Sequence, residues 1–343
     1  YMQLENTTEV KRAYAQTRLE REPIMEIFQH KGGSECINGL SSVFGAPDEL
    51  CNVEAVRRIG ENKTFMERDY SAEGLVMMTS SSVTKECDDD EIGKNGMVGA
   101  GCVHPTDFLR SALLVGLKEE QAIGLNPIKL GIIAATDTHS ANAGGVKESA
   151  WVGAVSGEGS AKERLQPGLL TSGIDGNPGG LAGVWAKENT RDAIFDAMLR
   201  KEVFGTSGPR IRPRLFAGWS LDQGLCERDD MIIYAYANGV PMGGDLMASS
   251  PISQPSFLTY AVKDPDGQKL RALELIKGWV DDEGNLNAEV LPVVSNDKGA
   301  DSLCEVYVDN HFEPTQSAYY YLRAVEPCLL YTSDAADDRS CVC

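Results

Sequence analysis

The chain has no apolar run near the roughly 20 residues that a bilayer-spanning helix requires, so it reads as a protein without a membrane span. It has no Cys-x-x-Cys pair, which argues against a zinc ribbon and a thioredoxin-type redox site. A Gly-x-Ser-x-Gly elbow and a phosphate loop are both missing, leaving a serine hydrolase or a nucleotide-dependent enzyme with little support. Basic residues are scarce: 32 Lys and Arg stand against 51 Asp and Glu, a formal net charge of -19. Coulomb repulsion then disfavours nucleic acid and anionic membrane surfaces as partners. A small anionic substrate remains compatible, because a bound metal ion reverses the field inside one pocket. The chain does not open on Met, and its first residues form neither a basic nor an apolar segment, so localisation is not legible there.

Cysteine is the residue present in unexpected number, at nine. Cys36 and Cys51 bracket one loop rich in Gly, Pro and Asp, and Cys87 and Cys102 bracket a second, acidic one. Two disulfide-closed loops fit this spacing, and with them an oxidising compartment, periplasmic or extracellular. Buried free thiols in a cytosolic enzyme are the alternative. Residues 327–343 have no periodicity and read as a non-native tail, the translation of an adapter read-through at the end of a metagenomic fragment. Setting it aside removes Cys328, Cys341 and Cys343 and leaves six cysteines, an even number. An ordinary terminal segment is the alternative reading.

With 42% hydrophobic and 24% charged residues, the remainder has the composition of a folded globular protein. Thr8 to Glu22 suits a surface helix stopped by Pro23, and Ile24 to Gln29 a buried strand. The excursion 36–102 reads as irregular, with one helix near Pro47 to Ile59, and as a stapled loop or lid. Pro105 to Gly124 is patterned as a helix with Thr106 as its cap and Phe108, Leu109, Ala112, Leu113 and Leu117 on one face. Lys129 to Ala135 is a continuous apolar run, as in a parallel strand buried on both faces. After a Gly/Ser-rich stretch from Ser140 to Gly180, a helix capped at Asn189 or Thr190 runs to about Lys201. The alternation predicts an α/β domain with a parallel sheet over 1–211. From 212 to 326 period-two strands separated by turns such as Asp264-Pro-Asp-Gly267 predict a β-sandwich-like domain.

The strand ending at Ala135 delivers Asp137-Thr138-His139. Period-two alternation would put the Asp137 carboxylate and the His139 imidazole on one side, where both can ligate one ion. An O and N donor set suits Zn, Mn or Fe, and such an ion turns bound water into a nucleophile near neutral pH. A hydrogen-bonded Asp–His pair that stabilises a loop is the plain alternative. After the first strand come His30, Lys31 and Glu35, with Glu26 and Gln29 inside it. Lys31 can stabilise developing negative charge, and Glu35 can accept a proton or hold a ligand histidine; a surface ion pair is the alternative. Arg210 and Arg212, at the junction to the β domain, can clamp an anion or pin the interface. His104 and His311 read as structural.

Four segments together resemble the domain-of-unknown-function family 3604: Glu22-Pro-Ile-Met-Glu-Ile-Phe-Gln-His-Lys-Gly-Gly-Ser-Glu35, Gly124-Leu-Asn-Pro with Ile133-Ala-Ala-Thr-Asp-Thr-His139, Phe204-Gly-Thr-Ser-Gly-Pro-Arg-Ile211, and Gly239-Val-Pro-Met-Gly-Gly-Asp-Leu246. The likeness runs from about Glu22 to Glu326. It implies kinship with the polymerase-and-histidinol-phosphatase (PHP) superfamily. The fold implied by the resemblance is the C-terminal part of a distorted PHP-type (β/α) barrel, then a β-sandwich-like domain. The resemblance also implies a two- or three-metal centre, hydrolysis of phosphoester-type substrates, and Asp137 and His139 as the last metal motif. Superfamily sites also use an early His-x-His, a strand-end Glu and further histidines, whereas this sequence has four histidines and no His-x-His. The expectation is a fragment short of ligands and inactive by itself. A secreted, non-enzymatic binding module with a structural Asp–His pair is the rival reading.

Overall fold

The structure is a computed structural model that describes residues 7–71, 74–88, 102–153, 160–164, 176–248, 253–327, 329–330 and 341–342. Helix α1 (Thr8–Arg21) starts where the Thr7 hydroxyl accepts from the Val10 N–H and ends ahead of Pro23. Strand β1 (Ile24–Glu26) leads into the small hairpin β2 (Phe28–Gln29) and β3 (Gly32–Gly33), then β4 (Val43–Phe44). A longer hairpin, β5 (Asn62–Ser71) with β6 (Gly74–Val83), occupies part of the excursion. The helix expected near Pro47 is only a 3-10 turn, Glu49–Asn52, because the Asp48 carboxylate that caps it also binds two arginines and Cys51 is tied to Cys36.

Helix α2 (Leu109–Ile123) ends at Gly124, whose φ of 69° is the left-handed conformation that glycine adopts freely. Thr106 is not its cap. His104 caps a preceding 3-10 turn, Pro105–Asp107, and α2 begins at Phe108 without a side-chain cap. Of the face expected from the spacing, Phe108, Leu109, Ala112 and Leu117 are buried and Leu113 only partly, while Leu114, outside that expectation, is buried as well. Such burial stabilises by about 1.5–3 kcal/mol per side chain. Arg12 of α1 donates to the carbonyl of Ile123 at the negative end of α2.

Strand β7 (Gly131–Ile133) pairs with β1 in parallel, Ile24 opposite Gly131. After the short α3 (Ala161–Arg164), strand β8 (Leu181–Val184), helix α4 (Arg191–Leu199) and strand β9 (Val203–Thr206) follow, with β8 and β9 antiparallel. Thr190 caps α4 as expected. Among the described residues no closed barrel forms, and the parallel strand pairings are β1–β7 and a two-residue contact of β4 with Leu286 and Asn287. The segment from β8 to β9 turns back on itself instead of crossing over.

The second half forms two four-stranded sheets. Strand β10 (Arg212–Gly218), helix α5 (Met231–Asn238), β11 (Val240–Pro241), β12 (Ser256–Val262), β13 (Leu270–Val280), β14 (Leu286–Ala300), β15 (Ser302–Val308) and β16 (Ala318–Val325) assemble as β11-β10-β12-β15 and β16-β13-β14-β4. Period-two alternation divides the faces. Leu215, Phe257, Ala261 and Leu303 meet Leu273, Leu275 and Leu322 between the sheets, while Phe216, Leu258 and Val306 pack under α5. Strand β13 is buried on both faces, with Ile276 meeting Leu109 of α2 and the side chains of Met25, Ile27, Leu130 and Ile132 from the β1 and β7 regions. The result is a mixed α/β structure of several small sheets and few helices, in which the parallel pair and α2 rest on the outer face of the second sheet. Among the described residues no helix is long and apolar enough to cross a membrane.

All six cysteines outside the tail pair, as Cys36–Cys51, Cys87–Cys102 and Cys226–Cys304. The first two are the pairs expected from spacing. The acidic loop between Cys87 and Cys102 lies mostly outside the described residues, as does most of the tail.

Candidate functional site

Backbone pairing carries the two strand ends beyond β1 and β7. Ile27 N–H donates to Ile133 O at 2.9 Å, Ala135 N–H to Phe28 O at 2.9 Å, and His30 N–H to Thr136 O at 3.3 Å. His30 and Asp137 are thereby neighbours although about a hundred positions apart in sequence. Close approach from above requires small residues: a Cβ on Gly179, whose φ is +83°, would lie 2.6 Å from the Thr136 Cα, and one on Gly205 2.7 Å from the Ala134 N.

Asp137 itself has φ +58°, a left-handed conformation costing of order 1 kcal/mol for a non-glycine residue. Asp137 and His139 therefore do not share a side through strand alternation, as the sequence suggests. The strand ends at Ile133, and the left-handed turn swings the His139 Nε2 to 3.4 Å from Asp137 Oδ1. The turn is held by Thr138 N–H donating to Thr136 Oγ1 at 3.2 Å.

His30 is 6% exposed, and its Nδ1 lies 3.1 Å from the Thr136 carbonyl and 3.7 Å from Asp137 Oδ2. A carbonyl only accepts, so Nδ1 carries the proton and Nε2 keeps the lone pair. Burial lowers the pKa of this imidazole, which favours the neutral form. Lys31 Nζ stands 3.8 Å from Glu26 Oε1 at the same strand end. Burial raises the Glu26 carboxyl; the ammonium of Lys31 opposes this, and Asp137 adds to it. Asn177, 2% exposed, links this group to the next one. Its N–H donates to His30 O at 3.0 Å, and its Nδ2 to Glu54 Oε2 at 3.3 Å.

The other expected site residues lie elsewhere. Glu35 accepts from Arg110 at 2.8 Å and from the Tyr321 hydroxyl at 2.7 Å. Burial would raise its pKa, but the guanidiniums of Arg323 and Arg110 outweigh burial and hold it below the usual carboxylate range. Arg210 is exposed, and its backbone N–H donates to Asp264 Oδ2 at 2.7 Å, at a turn of the β-rich half. Of the five expected site residues, Asp137, His139 and Lys31 gather at the paired strand ends. His30 and Asn177 complete that group. His30 was legible only as a strand-end polar residue, and nothing in the sequence pointed to Asn177.

An observed spacing of 3.4 Å between Asp137 Oδ1 and His139 Nε2 is long for a strong hydrogen bond. It matches the roughly 3.4 Å edge of a tetrahedral shell with ligand bonds of about 2.0–2.2 Å. Asp137 and His139 thus have the spacing of two ligands on one ion, whereas His30, whose proton-bearing Nδ1 faces Thr136 O and Asp137 Oδ2, does not close a three-residue ligand set with them. Among the described residues the three-residue set whose ligand-type atoms lie within 4.8 Å of one another is Cys36, Asp48 and Cys51, but both sulfurs are consumed by a disulfide and Asp48 by Arg110 and Arg323.

The model of one family, described as protein of unknown function (DUF3604), matches residues 2–78, 89–298 and 292–337. The chain belongs to the DUF3604 family. No curated protein and no solved structure matches it. The DUF3604 match runs past Glu326 into the segment read as a tail.

Proposed function

We propose that this DUF3604 protein is a divalent-metal-dependent hydrolase of small, anionic, phosphoester-type substrates. The observation that carries this reading is the 3.4 Å spacing of Asp137 Oδ1 and His139 Nε2 at two paired strand ends, with His30 beside Asp137. Asp137 and His139 would hold one ion of Zn, Mn or Fe, with His30 positioning the Asp137 carboxylate, and such an ion supplies a hydroxide nucleophile and polarises the ester when bound. Lys31 would bind the anion, with Glu26 setting its position. Under the finer reading, β1 and β7 are two strands of a PHP-type barrel. A two- or three-metal centre of that superfamily takes more imidazoles than the four histidines of this sequence supply, so weak binding of one ion and low activity of this chain alone are expected. Three disulfides support a periplasmic or secreted location.

Metal analysis of protein equilibrated with Zn, Mn or Fe, beside its Asp137→Asn and His139→Ala variants, tests the ligand set. About one ion per chain is expected, with loss of at least tenfold in affinity in each variant. Unchanged metal content in both variants overturns the assignment. A fall in thermal stability without any change in metal content would instead support the non-enzymatic module with a structural Asp–His pair.

A further inference from the structure

A cavity of about 490 Å³ lies between the parallel strand pair, β9 and β16. That volume falls within the roughly 300–1,000 Å³ span of small-molecule sites. Its walls are mainly apolar, including Ile27, Phe28, Ile132, Phe204, Met242 and Leu322. The Cys36–Cys51 disulfide forms part of one wall, so this side is covalently braced.

The charged groups of the lining are unbalanced. Among the described residues of the lining, Glu35, Glu54, Glu148 and Glu326 stand with one cation, Arg323. Arg323 is taken up by Glu35 at 3.6 Å, Asp48 at 2.9 Å and Glu274 at 2.8 Å. The described lining is therefore acidic. Glu148, exposed as a residue, lines the cavity together with Glu54. Glu326 has one carboxyl oxygen buried without a hydrogen-bond partner.

We infer that this cavity is a binding site for a small organic cation, an apolar body carrying one amine, with the Glu54–Glu148 wall receiving the ammonium. An apolar body fills the greasy walls, and the ammonium offsets the negative charge of the lining. The state of the carboxyls agrees with this. Burial, with Glu54 adding to it, pushes Glu148 up to about 7, and burial with Asp264 pushes Glu326 up to about 6. Both groups ionise at a cost that a bound cation relieves. An anionic ligand would meet the same wall with repulsion. This site does not rest on the metal-centre reading, which involves His30, Asp137 and His139.

Calorimetric titration of the full chain with tryptamine tests the inference, with indole-3-propionate as the anion of similar shape and 3-ethylindole as the neutral one. Saturable one-to-one binding of tryptamine is expected, with indole-3-propionate weaker by about tenfold or more. Glu148→Gln should weaken tryptamine about tenfold while leaving 3-ethylindole unchanged. Ser207→Trp, placed on an exposed lining residue, should abolish binding of all three; the melting temperature checks that both variants fold. Binding of indole-3-propionate as tight as that of tryptamine, or tryptamine binding unaltered in Glu148→Gln, overturns the proposal. So does the absence of saturable tryptamine binding.

Discussion

Arg110 is 8% exposed and stands between two carboxylates, Glu35 and Asp48, each 2.8 Å from its Nη2. Arg323 reaches the same pair from β16, and the Tyr319 hydroxyl donates to the Arg110 carbonyl at 2.7 Å. Removing one cation leaves buried negative charge short of a partner, so Arg110→Met should cost about 3 kcal/mol or more in urea unfolding. Titration of these groups has a definite sign. Glu35 and Asp48 are held below the ordinary range, so their contribution is present above the unfolded-state pKa and lost as pH falls through the folded values. Glu148 behaves in the opposite way. Its carboxyl is raised to about 7, so the folded chain binds more protons than the unfolded chain between the ordinary glutamate range and 7, and stability falls as pH rises through that window. Glu148→Gln removes this loss. Thermal melts at pH 5 and pH 8 should show the variant gaining on the parent at the higher pH, and an equal difference at both would contradict the assignment.

At the scale of elements, α2 carries the contact between the parallel pair and the second sheet. Leu114 is fully buried against Val280, Leu286 and Ala288, so Leu114→Ala should cost about 2–5 kcal/mol through the cavity it leaves. Gly116 gives a sharper test because propensity and packing predict opposite signs. Alanine is favoured over glycine inside a helix by about 1 kcal/mol. A Cβ at Gly116, however, would run into Asn126 Oδ1 and stand 2.9 Å from the Ile128 Cβ. Gly116→Ala should therefore destabilise, as measured by the urea midpoint, and a stabilised variant would show that the loop after α2 yields. The apolar spacing made α2 legible from the sequence, as did the period-two pattern of β10, β12, β13, β15 and β16. The hairpin β5–β6 and the antiparallel β8–β9 were not legible, because strand direction depends on which partner lies alongside and no local pattern encodes that.

For the whole molecule, the disulfides differ in reach. Cys36–Cys51 and Cys87–Cys102 each span 15 positions, whereas Cys226–Cys304 spans 78 and ties the segment before α5 to the edge strand β15. Loop-closure entropy grows with span, giving about 3 kcal/mol for a 15-residue loop and about 4.5 kcal/mol for one of 78. The double variant Cys226→Ala/Cys304→Ala should lose more stability than Cys36→Ala/Cys51→Ala by roughly 1.5 kcal/mol, read from denaturant unfolding under oxidising conditions. Equal losses would place the effect in native contacts instead of chain entropy.

The sequence by itself determined what depends on short range: the helices α1, α2 and α4, the alternating strands, the two short disulfide loops and the polar ends of the strands at His30 and Asp137. Spacing along the chain is enough for each, since 3.6-residue and two-residue periods record which face is buried. Tertiary structure decided the rest. It separated Glu35 and Arg210 from Lys31, because Glu35 is drawn to the buried guanidiniums of Arg110 and Arg323 and Arg210 lies against Asp264. It also brought His30 to Asp137 across more than a hundred residues by parallel pairing and turned Asp137 into the left-handed region. Asp137-Thr138-His139 named a donor pair; only the packed strands placed His30 beside Asp137, because no sequence-local rule relates residues that pairing alone makes adjacent.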